Sequence, residues 1–178
     1  MAINCLHAAL LTLLFAAAGP HASAQHPAMP PGMTHEEHLA QMKRDAEMKQ
    51  RGAQAMGFDP NTTTHHFRLT VTGGVIEVTA NAGGDTAGRD QIRVHLAEIA
   101  AEFAKGNFEK PLATHAEIPP GVETMKQLAG RIRYSFKSTA RGGLVRILTD
   151  DAAARRAVHE FLRYQITEHA TGDPLVVP

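Results

Sequence analysis

Thiols are all but missing from this chain: its single cysteine among 178 residues is Cys5, inside a leader expected to be removed. The remaining chain would have no disulfide, no thiolate metal site and no cysteine nucleophile. Net charge is missing as well, since 18 Lys+Arg balance 18 Asp+Glu, so no global attraction to nucleic acid or anionic lipid is expected. The signatures of common enzyme classes are absent too. There is no G-x-S-x-G, no phosphate loop, no dinucleotide fingerprint and no tight carboxylate pair, which makes an enzyme the less favoured class. No apolar run reaches the ~20 residues that a membrane-spanning helix needs.

What is present suits a globular protein, with 43% hydrophobic residues and length for one domain plus appendages. The apolar run "LHAALLTLLFAAAG", followed by Ala22-Ser23-Ala24, reads as a signal peptide over 1–24, cut after Ala24. Its start, "MAINC", has no Lys or Arg and no twin-arginine pair, so the general export route and a periplasmic or secreted location are expected. Residues 25–57 form a leader with His and Met. Within it Thr34 and Glu37 make a capping-box pattern, predicting a helix over about 34–55 that stops at Gly57. Its thin stripe of Leu39, Met42 and Ala46 predicts weak docking.

A core domain is expected over 58–173, with a tail at 174–178. "HHFRLTVT" and "VIEVTA" alternate with period 2 around Gly73-Gly74, and "IRYSFKSTA" and "LVRILTD" repeat this around Gly142-Gly143, so two hairpins turning on glycine pairs are predicted. A helix follows each hairpin. One covers about 86–105, with Ile92, Leu96, Ile99 and Phe103 on one face, and the other about 151–169, with Val158, Phe161, Leu162 and Ile166. The duplicated β-β-α order implies an α+β fold, a four-stranded antiparallel sheet with both helices on one face. Between the halves, 106–130 reads as a long Pro-containing connection, a kind of loop that is often functional.

Nine histidines lie beyond Ala24 (His26, His35, His38, His65, His66, His95, His115, His159, His169), with six methionines (Met29, Met33, Met42, Met48, Met56, Met125). Imidazole and thioether suit copper, and imidazole also suits zinc. His35, His38 and Met42 share one helical face by their i, i+3, i+7 spacing, though "HEEHL" has its histidines one residue too close for the metalloprotease helix. In the first strand, alternation puts His65 with Phe67 and Leu69 on the core side and His66 with Arg68 on the open face. That face also carries Arg133, Lys137, Arg146 and Glu77, which suits solvated sheet, an anion site or a dimer interface, and an exposed strand edge invites pairing. His95 and His159 read as boundary residues without a shared role. His115, on the long connection with Met125 nearby, is the better ligand candidate.

The blocks "MGFDPNTTTHHF", "TAGRDQIRVHLAEIAAEFAKGNF", "PPGVETMKQL" and "AVHEFLRYQITEHATGD" occur in order over 56–173, and there the chain resembles an uncharacterised family of small exported bacterial proteins. The family pattern includes Thr64, His65, Phe67, His115, His159 and His169. Some members end in a His-rich tail, whereas this chain ends in "VVP". Relatives sometimes labelled carbamoyltransferases would need two domains and a phosphate-binding loop, for which this chain has no room. The resemblance implies export and the domain boundaries, and no reaction.

The leading expectation is a periplasmic binding or accessory protein coordinating a transition ion, copper before zinc. His65 and His115 would lead, with His66 and Met125 as further donors and His35, His38 and Met42 as a second, labile site. The alternative is a non-catalytic homodimeric or partner-binding module using its sheet face or edge. A third reading is a hydrolase or lyase with His65 or His115 as base. Everything turns on whether His115 comes round to meet His65.

Overall fold

The computed structural model describes residues 29–178; the expected signal peptide lies outside the described residues. Helix α1 (His35–Met56) leads into a short 3-10 turn and strand β1 (Thr63–Thr70), then β2 (Gly73–Ala80) and α2 (Thr86–Ala104). The connection folds into α3 (Glu109–His115) and α4 (Val122–Gln127), followed by β3 (Arg133–Thr139), β4 (Gly142–Leu148) and α5 (Ala152–Glu168). The sheet is antiparallel with order β1-β2-β4-β3, the expected α+β architecture. Among the described residues no helix is long and apolar enough to cross a membrane.

Each repeat contributes its helix to the other repeat's hairpin. Helix α2 packs mainly over β3 and β4 while also reaching β2, and α5 packs over β1 and β2, so each unit's apolar face is covered largely by the other unit's helix. The seam is closed by Phe67, Leu69, Ile76, Val78, Val145 and Ile147 from the strands against Ile92, Leu96, Phe103, Val158, Phe161 and Leu162 from the helices, all buried. Burying a side chain of this size contributes about 1.5–3 kcal/mol. Interlocking therefore makes the two units stand or fall together.

Three local expectations are corrected. The hairpins turn at Val71-Thr72 and Ala140-Arg141, and the glycine pairs open β2 and β4. Close approach explains them: a Cβ on Gly142 would meet the Val78 carbonyl, and one on Gly74 would meet Leu162 and the Arg68 carbonyl. The connection is helical at both ends, not irregular throughout, because Glu109 and Lys110 precede Pro111 in a first turn where a missing N–H costs nothing. Helix α1 has the capping box at Thr34 and the Gly57 stop. Its docking stripe, however, is Met48, Gly52 and Met56, with Leu39 exposed. Gly52 allows close approach to Thr114, and Arg51 Nε donates to the Thr114 carbonyl at 3.0 Å.

The outer edge of β1 is covered from the C-terminal side. The Asp173 carboxylate accepts from the Phe67 N–H at 3.0 Å and lies 3.0 Å from His66 Nδ1, while Thr171 Oγ1 donates to it at 2.7 Å. The β3 edge instead presents Arg133 and Lys137, exposed, and charge of this kind discourages pairing. Asp173→Ala is expected to destabilise the fold by about 1–3 kcal/mol through the orphaned N–H and to raise self-association through the bared edge. Denaturant melts followed by circular dichroism, together with light scattering, check both effects.

Candidate functional site

Beneath the β1 end of the sheet lies a cavity of about 70 Å³ walled by apolar side chains and four histidines, His65, His95, His115 and His169. Each arrives from a different element. Strand alternation turns His65 inward beside Phe67. His95 lies on the buried stripe of α2 between Ile92 and Leu96. His115 is the last residue of α3, and His169 caps the C-terminal end of α5.

The next residue is telling in both cases. Ala116 (φ 59) and Ala170 (φ 47) are the only non-glycine residues with positive φ among the described residues. Left-handed backbone disfavours a residue with a Cβ by roughly 1–2 kcal/mol, and such strain clusters where geometry serves function. Two helices thus end on an imidazole and a strained alanine, and both imidazoles enter one cavity.

His169 is the hub. Its ring stacks on His65 with centroids 5.5 Å apart and planes 15° apart, and it stands nearly perpendicular to His115 at 5.2 Å. His65 and His115 line the same cavity, with His169 touching both. Phe58 flanks His65 at 6.2 Å and meets His95 edge-on at 5.6 Å. Gln165 Oε1 lies 3.1 Å from His115 Nε2, a contact that leaves Nδ1 as the unprotonated nitrogen when the ring donates. Among the described residues His65 Nε2, His95 Nδ1 and His115 Nδ1 are buried without a hydrogen-bond partner. Gln165 Nε2, on the same cavity, is a fourth such atom; buried polar atoms are nearly always satisfied, so the group calls for a ligand or ordered water.

The cluster is neutral. Burial first, then the neighbouring His66, lowers His65 to about 4, and burial followed by repulsion from His65 and His115 lowers His169 to about 3. Burial and then the nearby Lys110 ammonium lower His95 to about 4. Burial also lowers His115, opposed by its bond to Gln165 and by Glu168 and Glu117. A helix C-terminus favours a cation by about 0.3–1 kcal/mol, and at His169 burial overrides it. Every imidazole therefore keeps a lone pair at neutral pH. None of the described residues lining the cavity is a carboxylate, Lys110 is paired with Glu98 at 3.0 Å, and Met56 supplies a thioether.

The other candidates lie elsewhere. His66 is held by Asp173. Met125 is fully buried in the hydrophobic core and does not line the cavity, because α4 turns its apolar side toward α5. His35, His38 and Met42 sit on the first turns of α1, away from the cavity lining. His159 Nε2 is shared between the Thr70 and Gly73 carbonyls, both at 3.0 Å, and pins the β1–β2 hairpin. Sequence reasoning passed over His95 and His169 as ligands. His95 was detectable, since it falls three residues after Ile92 and four before Ile99, which puts it on the buried face.

No protein-family description, curated protein or solved structure matches the chain, so the functional reading rests on this geometry.

The unfolded chain holds these imidazoles at their ordinary 6.5, whereas the fold keeps His65 and His95 neutral to about 4 and His169 to about 3. Within that interval the unfolded state binds more protons, so stability rises with pH. It is fully present above about pH 6.5 and is lost as pH falls towards 4 and below. A fully buried imidazole shifted this far contributes on the order of 3 kcal/mol, enough to lower Tm by roughly 10 °C. Thermal melts between pH 7 and pH 4 are expected to show this fall, and a shallower one in His169→Gln.

Proposed function

We propose that the chain is an exported, periplasmic binding or accessory protein that takes a transition ion, copper before zinc, on the imidazoles of its cavity, without catalysing a reaction. The observation behind this reading is the set of three orphaned ring nitrogens on neutral histidines. Metal ions require deprotonated ligands, and each neutral imidazole has one ring nitrogen free of a proton. The leader and the absence of cysteine beyond it suit a compartment where histidine and methionine replace thiolates. His35, His38 and Met42 on α1 would form a second, weaker and labile site.

Spacing also suits an ion. With nitrogens ~2 Å from the metal, two coordinating imidazoles have centroids roughly 4.5–6 Å apart, and both pairs made by His169 fall in this range. Lone pairs lie in the ring plane, so the stacked pair needs one ring to rotate, whereas perpendicular planes at His115 and His169 allow two in-plane lone pairs to converge.

A second reading, a non-catalytic homodimer or partner-binding module, draws on the outer edge of β3, which has no neighbouring strand among the described residues and only the charges of Arg133 and Lys137 to oppose pairing. Light scattering with and without chelator separates the two, because only edge pairing gives a chelator-insensitive dimer.

Calorimetric titration of the full chain with copper and zinc is expected to give a Kd below ~10 µM. His115→Ala and His169→Ala should each weaken it at least ~10-fold. Weaker binding in the parent chain, or affinity untouched by both substitutions, overturns the reading.

A further inference from the structure

We infer that the ion this cavity selects is monovalent copper, held by two imidazoles of the cluster with the Met56 thioether as a further donor. The inference rests on the metal-binding reading above and narrows it to an oxidation state. Charge is the first ground. The described residues lining the cavity offer imidazoles, a thioether, a carboxamide and the Thr114 hydroxyl, which donates to the Lys110 carbonyl, with no carboxylate or thiolate, and the one formal charge is the Lys110 ammonium. Moving an ion out of water costs energy that grows as the square of its charge, so without an anionic ligand a divalent ion is penalised about four times as heavily as a monovalent one.

Coordination number is the second ground. Structural zinc takes four ligands in a tetrahedron, yet among the described residues no three His, Asp or Glu side chains stand together so as to hold one ion. Monovalent copper is satisfied by two or three donors, and soft donors such as thioether select it. His115 and His169 are perpendicular at 5.2 Å, and Met56, at the end of α1, reaches the same cavity. Unbranched methionine can adjust its sulfur position without moving backbone. A volume of about 70 Å³ has room for an ion and little water.

Access is the third. His115 lines both this cavity and an outer groove of about 330 Å³ between α1 and the ends of α3 and α5, where Glu117 and Glu168 stand beside Arg51. An ion would be received at the carboxylates and handed inward by the ring of His115, leaving its anionic partners outside.

The test is anaerobic competition of the full chain against bicinchoninate for monovalent copper, beside separate zinc(II) and copper(II) titrations against a chromophoric chelator. Monovalent copper should bind at least ~100-fold more tightly than zinc(II). Met56→Leu, which keeps the apolar volume, should weaken monovalent copper ~10-fold and leave zinc(II) unchanged. X-ray absorption of the loaded protein should report two or three donors including one sulfur, lost in Met56→Leu. Zinc(II) or copper(II) binding more tightly than monovalent copper, or a sulfur signal that survives Met56→Leu and disappears in His35→Ala/His38→Ala/Met42→Ala, overturns the inference while leaving ion binding intact. Failure of every ion to bind overturns both. Should His169→Ala lose its helical circular dichroism, His169→Gln and Met56→Leu still decide.

Discussion

Antiparallel pairing of β2 with β4 is the contact on which the rest of the molecule depends. It sets the two β-β-α units head to tail, Gly73 and Gly74 facing Leu148 and Ile147, and Gly142 and Gly143 facing Thr79 and Val78. Glycine at both ends of this ladder lets strand and helix approach where a Cβ would strike the Val78 carbonyl or Leu162. Once the strands are joined in this order, the helix after each hairpin lies over the opposite hairpin. Every later feature, including the cavity, inherits its position from that crossing.

Near-symmetry makes the departure from it informative. Counting back from the glycine pairs, His65 corresponds to Tyr134 and Phe67 to Phe136. In the second unit the inward space is filled by Tyr134 and Phe108 packed around Phe103. In the first, the equivalent space stays open and gathers imidazoles from α2, α3 and α5. Aromatic filling closes that space and leaves the Tyr134 hydroxyl buried without a partner. Substituting imidazoles of similar shape preserves the packing and adds lone pairs, which is how a duplicated fold can acquire a site without changing its backbone.

Much of this architecture could be read from residues alone, because alternation in the strands and the spacing of Ile92, Leu96, Ile99 and Phe103 are direct images of burial. The inward turn of His65 and outward turn of His66 followed from the same rule. The glycine pairs misled because turn and close approach both call for the residue without a Cβ, and only three-dimensional neighbours tell them apart. The α1 stripe was misplaced because Gly52, a docking residue, has no hydrophobic signal to count. His169 escaped notice as a ligand because its burial is supplied by His65, Phe67 and His115, which lie far from it in sequence. Local periodicity contains no record of such contacts.

The cavity is also where the fold is least satisfied. Each buried polar atom without a partner costs roughly 1–3 kcal/mol, and three ring nitrogens are in that state; Ala116 and Ala170 add backbone strain beside two of those rings. A sequence selected for stability alone would place leucine or phenylalanine here. A ligand that bonds the native site and not the unfolded chain stabilises the fold in proportion to its affinity. Strain and orphaned nitrogens are tolerable where a bound partner offsets them, which is the physical reason to look for an occupant.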